Sequence, residues 1–161
     1  MHMQVEELLT TPAGRRALSL VSPQFFDSYY CGMTRADHRD RWLDLFEEEV
    51  KRALDTGVKA KLLILAPRDH GKTEAGITFA TRALCLNRDI RILWISESQS
   101  QAEKRMRRIV SLLKSPKIKE DWTSAPEEGA GSFGDSEGWR SNMIYLNRTK
   151  DSVDASLECI G

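Results

Sequence analysis

Apolar positions along the chain follow two different periods. Leu62, Leu63, Ile64 and Leu65 form one unbroken aliphatic run, and Ile92, Leu93, Trp94 and Ile95 form a second. Runs this short, bounded by polar residues, predict buried strands. Their near-continuous apolar character predicts a parallel sheet covered on both faces, with the second strand over 90–96. Elsewhere the spacing is helical. Trp42, Leu45, Phe46, Val50 and Ala53 recur on one face, predicting a helix over 35–54 that Gly57 ends. Ile77, Phe79, Ala80, Ala83, Leu84 and Leu86 cover more than one stripe, which predicts a helix over 71–86 buried against a sheet and a neighbour. Further on, Ala102, Met106, Ile109, Val110 and Leu113 share one side of a strongly two-faced helix. Met143, Tyr145 and the run 157–160 predict a β-hairpin through the polar turn at 147–154.

Helix-start signals sharpen these boundaries. Thr11-Pro12 and Ser22-Pro23 each pair an N-cap residue with proline at the first helical position, opening short helices to about residue 20 and over 24–30. Val5, Leu8 and Leu9 suggest another short helix before them. Thr34 to Asp37 reads as a Thr-x-x-Asp capping box, and Ser98 to Gln101 as Ser-x-x-Gln. Strands that alternate with helices indicate an α/β domain with a doubly wound parallel sheet. The organisation expected is a helical lead-in over 1–57 and an α/β core over 58–161. Residues 121–138, acidic and glycine-rich without a basic residue, read as a loop, either a lid or a plain surface excursion.

Composition narrows the class. With 161 residues, 40% apolar and 30% charged, the chain suits one soluble globular domain. The formal net charge is zero, so any nucleic-acid surface must be a local patch. Cys31, Cys85 and Cys159 are scattered without metal-ligand or disulfide spacing, which makes a reducing cytoplasm the default. The apolar runs are too short to cross a bilayer, and no signal peptide is visible.

The candidate chemistry sits where the first strand meets its helix. Ala66-Pro67-Arg68-Asp69-His70-Gly71-Lys72-Thr73 follows the apolar run directly, and strand, loop and helix in that order is the context of a phosphate-binding P-loop. Such a loop aims backbone N–H groups at one point, and the helix dipole adds positive potential there. Gly71 lets the backbone approach phosphate, Lys72 brings an ammonium to the β- and γ-phosphates, and Thr73 offers a hydroxyl to Mg²⁺. Ala66 stands where glycine is usual. Residues Pro67, Arg68, Asp69, His70, Gly71, Lys72, Thr73 and Glu74 are the candidate nucleotide-binding set, with Lys72 and Arg68 as the catalytic cations. The cofactors implied are ATP and Mg²⁺.

Three further groups are weighed against structural roles. His38 and Tyr30 are candidate adenine contacts, although the aromatics of the lead-in serve equally to seal helices onto a sheet. Lys104, Arg105 and Arg108, with Gln101, share the polar side of the two-faced helix. They read as a solvated face, a DNA phosphate contact, or an arginine reaching a neighbouring subunit's ATP. A P-loop ATPase also needs an apolar strand ending in Asp or Glu to act on Mg²⁺ and water. Glu97, after Ile92 to Ser96, is one candidate, but an acid just before a helix is favoured by the dipole alone. The simpler expectation is that the acidic Walker B strand lies beyond residue 161 and that the chain is a fragment.

With these residues together, the chain resembles the ATPase domain of the large terminase subunit of tailed bacteriophages. The likeness is carried by LLILAPRDHGKTEAG, by ISESQSQAEKRMRRIVSLL and by KDSVDASLECIG, with SPQFFDSYYCG and the downstream His38 in the lead-in. The resemblance implies an ASCE-type P-loop NTPase that powers packaging of double-stranded DNA into a procapsid through the portal protein, together with a small terminase subunit. It implies a homo-oligomeric ring in the host cytoplasm, transiently at the portal vertex, with a fragment of it monomeric. Arg68 matches the family's P-loop arginine, implied to contact the γ-phosphate; Lys72 and Thr73 match the phosphate lysine and magnesium hydroxyl. The family's acidic strand, coupling motif and C-terminal nuclease carboxylates have no counterpart in these residues, so the fragment is expected to bind nucleotide, to hydrolyse it weakly or not at all, and not to cut DNA.

Two other classes compete. A small P-loop metabolite kinase suits the length, but its lid is arginine-rich where residues 121–138 are acidic. A non-catalytic nucleotide-binding interaction module would dock on a partner without turnover.

Overall fold

The computed structural model describes residues 5–122, 133, 139–148 and 153–161. The chain begins with four helices, α1 (Val5–Leu9), α2 (Pro12–Val21), α3 (Pro23–Tyr29) and α4 (Asp37–Thr56). Then come α5 (Lys72–Leu86), β1 (Ile92–Ile95), α6 (Gln99–Leu113), α7 (Pro116–Trp122), β2 (Met143–Ile144) and β3 (Leu157–Ile160).

The proline-marked helices start where the sequence places them, because the caps form. Thr11 Oγ1 accepts from the Gly14 N–H (3.1 Å) and Ser22 Oγ from the Phe25 N–H (3.0 Å), each satisfying an orphan donor of the first turn. The two expected capping boxes do not form. Helix α4 begins at Asp37 behind Ala36, without a side-chain cap, and Ser98 occupies the N-cap of α6 without its hydroxyl bonding the first turn. Gly57 ends α4 in the left-handed conformation, as expected. Helix α7 has no counterpart in the sequence reading. Its start is the same Ser-Pro signal, at Ser115-Pro116, and it takes in Asp121 and Trp122, which the reading assigned to the acidic loop. The rest of that loop, apart from Phe133, lies outside the described residues.

The sheet has the order β1-β3-β2. Strands β2 and β3 pair antiparallel, with Met143 opposite Glu158, as the expected hairpin requires; residues 149–152 of its turn lie outside the described residues. Strands β1 and β3 pair parallel, Ile92 opposite Leu157 through Ile95 opposite Ile160. Two expectations are corrected here. Residues 62–65 form no strand and are not buried; Leu63 is 79% and Leu65 85% exposed. An apolar run becomes a strand only when a neighbouring strand satisfies its backbone, and no strand among the described residues pairs with it. Strand β1 is also covered on one face only. Ile92 and Trp94 turn toward the helices while Leu93 and Ile95 remain exposed.

The core lies between that inner sheet face and the helices. Ala102, Met106, Ile109 and Leu113 of α6 meet Ile77, Ala80 and Leu84 of α5, with Leu157 and Cys159 of β3 below and Phe26 and Ile118 at the side. Close approach of α5 to β1 depends on Gly76, where a Cβ would stand 3.1 Å from the Trp94 ring. Packing α5 beside α6 brings the first turn of α5 against the middle of α6, where Glu74 meets Arg108, and the candidate site lies there.

Candidate phosphate-binding cleft

The loop before α5 is a tight turn with two left-handed residues. Asp69 has φ 61°, and it is the one non-glycine among the described residues with positive φ; Gly71 has φ 79°. Aspartate tolerates this region better than most residues, and glycine enters it freely. His70, between them, is tied on both sides. Its Nδ1 donates to the Arg68 carbonyl (2.7 Å), and its own carbonyl accepts from His38 Nε2 (3.1 Å). Carbonyl oxygens only accept, so those ring nitrogens carry the protons. His38 thus braces the loop from α4, with Trp42 edge-on to its ring at 5.0 Å.

Residues 68–74 and Arg105 line a cleft of ≈ 480 Å³. Its charged lining consists of Arg68, Lys72 and Arg105 against Asp69 and Glu74. Lys72 folds back over the turn, its Nζ donating to the carbonyls of Ala66 and Pro67 (the latter at 2.6 Å). Thr73 and Glu74 occupy the first turn of α5, where backbone N–H groups have no intrahelical partner and the dipole is positive. Glu74 is partly neutralised by Arg108 of α6, whose Nε lies 3.5 Å from Oε2 and whose Nη2 donates to the Cys31 carbonyl (3.4 Å). The cleft therefore combines loop amides, a helix N-terminus, a hydroxyl and three cations, a set suited to a polyanion.

The remaining candidates separate. Tyr30 is a core residue, 5% exposed, with its hydroxyl donating to Asp121 (2.6 Å), and it does not line the cleft. Its assignment as an adenine contact is replaced by a packing role. Desolvation pushes its phenol well above the ordinary range, and the Asp121 carboxylate adds to the shift. The basic side of α6 is likewise not one stripe. Arg105 turns to the cleft, Arg108 to Glu74, and Lys104 is exposed. Glu97 is exposed beyond β1 and does not line the cleft.

One supporting residue was missed by the sequence reading. Arg39 of α4 lies directly behind Gly71; a Cβ on that glycine would stand 2.9 Å from Arg39 Cδ. Arg39 is 6% exposed, and its Nη2 donates to both oxygens of Asp27 (2.6 and 2.5 Å), which also accepts from Thr78 Oγ1 (2.6 Å). Its Nε is buried without a partner. The signal available in sequence was a charged residue one turn before Leu43, on the face that α4 buries.

Comparison of the chain with protein-family models, curated proteins and solved structures finds no match.

Proposed function

We propose that this chain is the ATP-binding part of a DNA-packaging motor of the large-terminase kind, an ASCE-type P-loop NTPase. The observation that carries the reading is the cleft itself. Of the nucleotide-binding set Pro67 to Glu74 chosen from sequence, Arg68 to Glu74 line a cavity, turning sharply into a helix N-terminus with the lysine, threonine and arginine. The extension from nucleotide binding to DNA translocation is supported by the likeness of the three sequence segments to the terminase family.

In this reading the β- and γ-phosphates displace the loop carbonyls from the Lys72 ammonium. Arg68 neutralises charge on the terminal phosphoryl group, and the helix N-terminus stabilises the inner phosphates. The Thr73 hydroxyl is a hard oxygen ligand of the type Mg²⁺ takes, and the ion supplies further charge neutralisation when bound. His38 acts through His70, holding the turn rather than stacking on a base.

Calorimetric titration with MgATP tests the assignment. The wild-type chain is expected to bind, and Lys72→Ala to abolish binding while the helical content stays unchanged. Equal affinity in the two proteins removes the phosphate-loop assignment. The motor reading also expects double-stranded DNA binding that weakens steeply with salt in the assembled oligomer.

A further inference from the structure

We infer that Arg105 is a third phosphate-binding cation of this cleft, supplied by the same chain and directed at the terminal phosphate of a nucleoside triphosphate. The inference rests on the nucleotide-binding reading above and assigns one more residue to it.

Three observations carry it. Arg105 lines the cavity together with residues 68–74. As a residue it is partly buried, and no ion pair among the described residues includes it, whereas its neighbours Arg107 and Arg108 pair with Glu103 and Glu74. A guanidinium that lines a cleft without a carboxylate partner keeps its donors for an anion brought from outside. The register of the two helices then says which phosphate it meets. The Arg108–Glu74 pair sets that part of α6 level with the first turn of α5. Arg105, one turn earlier in α6, stands nearer the carboxyl end of β1, beyond the tip of α5. Open α/β sheets bind ligands outside the carboxyl ends of their strands. The inner phosphates belong to the loop amides and helix tip, which leaves Arg105 facing the outermost group.

Of the acids lining the cleft, Glu74 is engaged by Arg108, and Asp69 sits on the turn beside Arg68. Neither pairs with Arg105. A contact from the chain's own helix differs from the reading of this basic face as one that reaches DNA or a neighbouring subunit.

The test measures MgATP and MgADP affinities of the whole chain in parallel for wild type, Lys72→Ala, Arg105→Gln, Arg105→Lys and Arg107→Gln. Arg105→Gln is expected to weaken MgATP binding roughly tenfold to hundredfold, the worth of a charge-assisted hydrogen bond. MgADP binding should change by less than about threefold, since ADP lacks the group that Arg105 contacts. Arg105→Lys should recover part of the ATP preference, and Arg107→Gln should keep all of it. A loss shared equally by both nucleotides, or no loss where wild type binds and Lys72→Ala does not, overturns the inference and leaves the phosphate loop standing. Absence of binding by wild type overturns both. Mixing Arg105→Gln with Lys72→Ala chains should restore nothing; recovered tight MgATP binding would mean that the arginine acts between subunits.

Discussion

The arginines of the helical body and those of the cleft have the same side chain in opposite situations. In the body, Arg15 donates to both oxygens of Asp121 (2.8 and 2.5 Å), with Glu120 at 3.0 Å. Arg39 is held by Asp27. Arg82 donates to the Ser19 and Leu20 carbonyls (2.9 and 3.0 Å) and pairs with Glu47. All three guanidiniums are less than a tenth exposed and met by carboxylates. At the cleft, Arg68 and Arg105 have no carboxylate partner among the described residues, and the Lys72 ammonium meets the Ala66 and Pro67 carbonyls. Buried charge is tolerated when it is paired. The body uses pairing to fix helices to one another, and the cleft leaves positive charge to be completed from outside. This difference, rather than the number of basic residues, is what supports the proposed anion site in a chain of zero net charge.

The comparison breaks most visibly if a body pair is opened. Asp121→Ala removes the two-oxygen acceptor of Arg15 and the acceptor of Tyr30 at once, leaving the buried guanidinium with the exposed Glu120 as its remaining carboxylate. Denaturant unfolding should show a loss of about 3–5 kcal/mol, much of the stability of a domain this size. A loss below about 1 kcal/mol would mean that the pair is not the anchor of α2 on α7.

The body should also weaken in alkali. Burial pushes the Cys31 thiol up to about 12 and Cys159 up to about 11, from an ordinary value of 9.0, and raises Cys85 well above it. Thiols that keep their protons longer in the folded chain than in the unfolded one contribute stability that is complete below pH 9.0 and is lost as pH rises through the folded values. Unfolding free energy should therefore fall between pH 9 and 11, each fully shifted thiol contributing about 1.4 kcal/mol per pH unit. Native-state thiol titration at pH 8 should be slow beside the same reaction in denaturant. A stability profile that is flat up to pH 11 contradicts this.

At the cleft the expected changes in stability are smaller and those in binding larger. Gly71→Ala places a Cβ at positive φ and against Arg39, at a cost of about 1–3 kcal/mol. MgATP affinity should fall further than stability, because the turn that aims the amides is displaced. Glu74→Gln has the smallest effect on folding, below about 1 kcal/mol, since its pair with Arg108 is 35–40% exposed. Its signature is tighter nucleotide binding as a negative charge leaves the cleft.

Local chemistry was readable wherever a residue acts on its own segment. The Ser/Thr-Pro helix starts, the αL stop at Gly57, the stripe of α6 and the turn at 68–71 into α5 all depend on neighbours within a few positions. The face of α4 was misread for the converse reason. Apolar spacing chose Trp42, Leu45, Phe46, Val50 and Ala53, yet the side chains that α4 buries are Arg39 and Leu43. Of the chosen residues, Phe46 stacks on Phe79 at 4.8 Å. A charged residue counts as polar in any periodicity, and Asp27, a dozen positions away, is what makes Arg39 a core residue.

The strands divide in the same way. Four aliphatics at 62–65 and four at 92–95 carry the same sequence signal, but only the second run has a paired neighbour, because β3 returns beside it sixty-five residues later. The sequence by itself determined that a tight backbone turn, a lysine and a hydroxyl stand consecutively, which is the local basis of the proposed phosphate site. Tertiary structure decided which distant charges serve it. It set Arg39 behind the turn, brought Arg105 across to the cleft and turned Tyr30 into the core. Those placements depend on helices docking over long sequence separations, where burial and pairing outweigh anything a local pattern encodes.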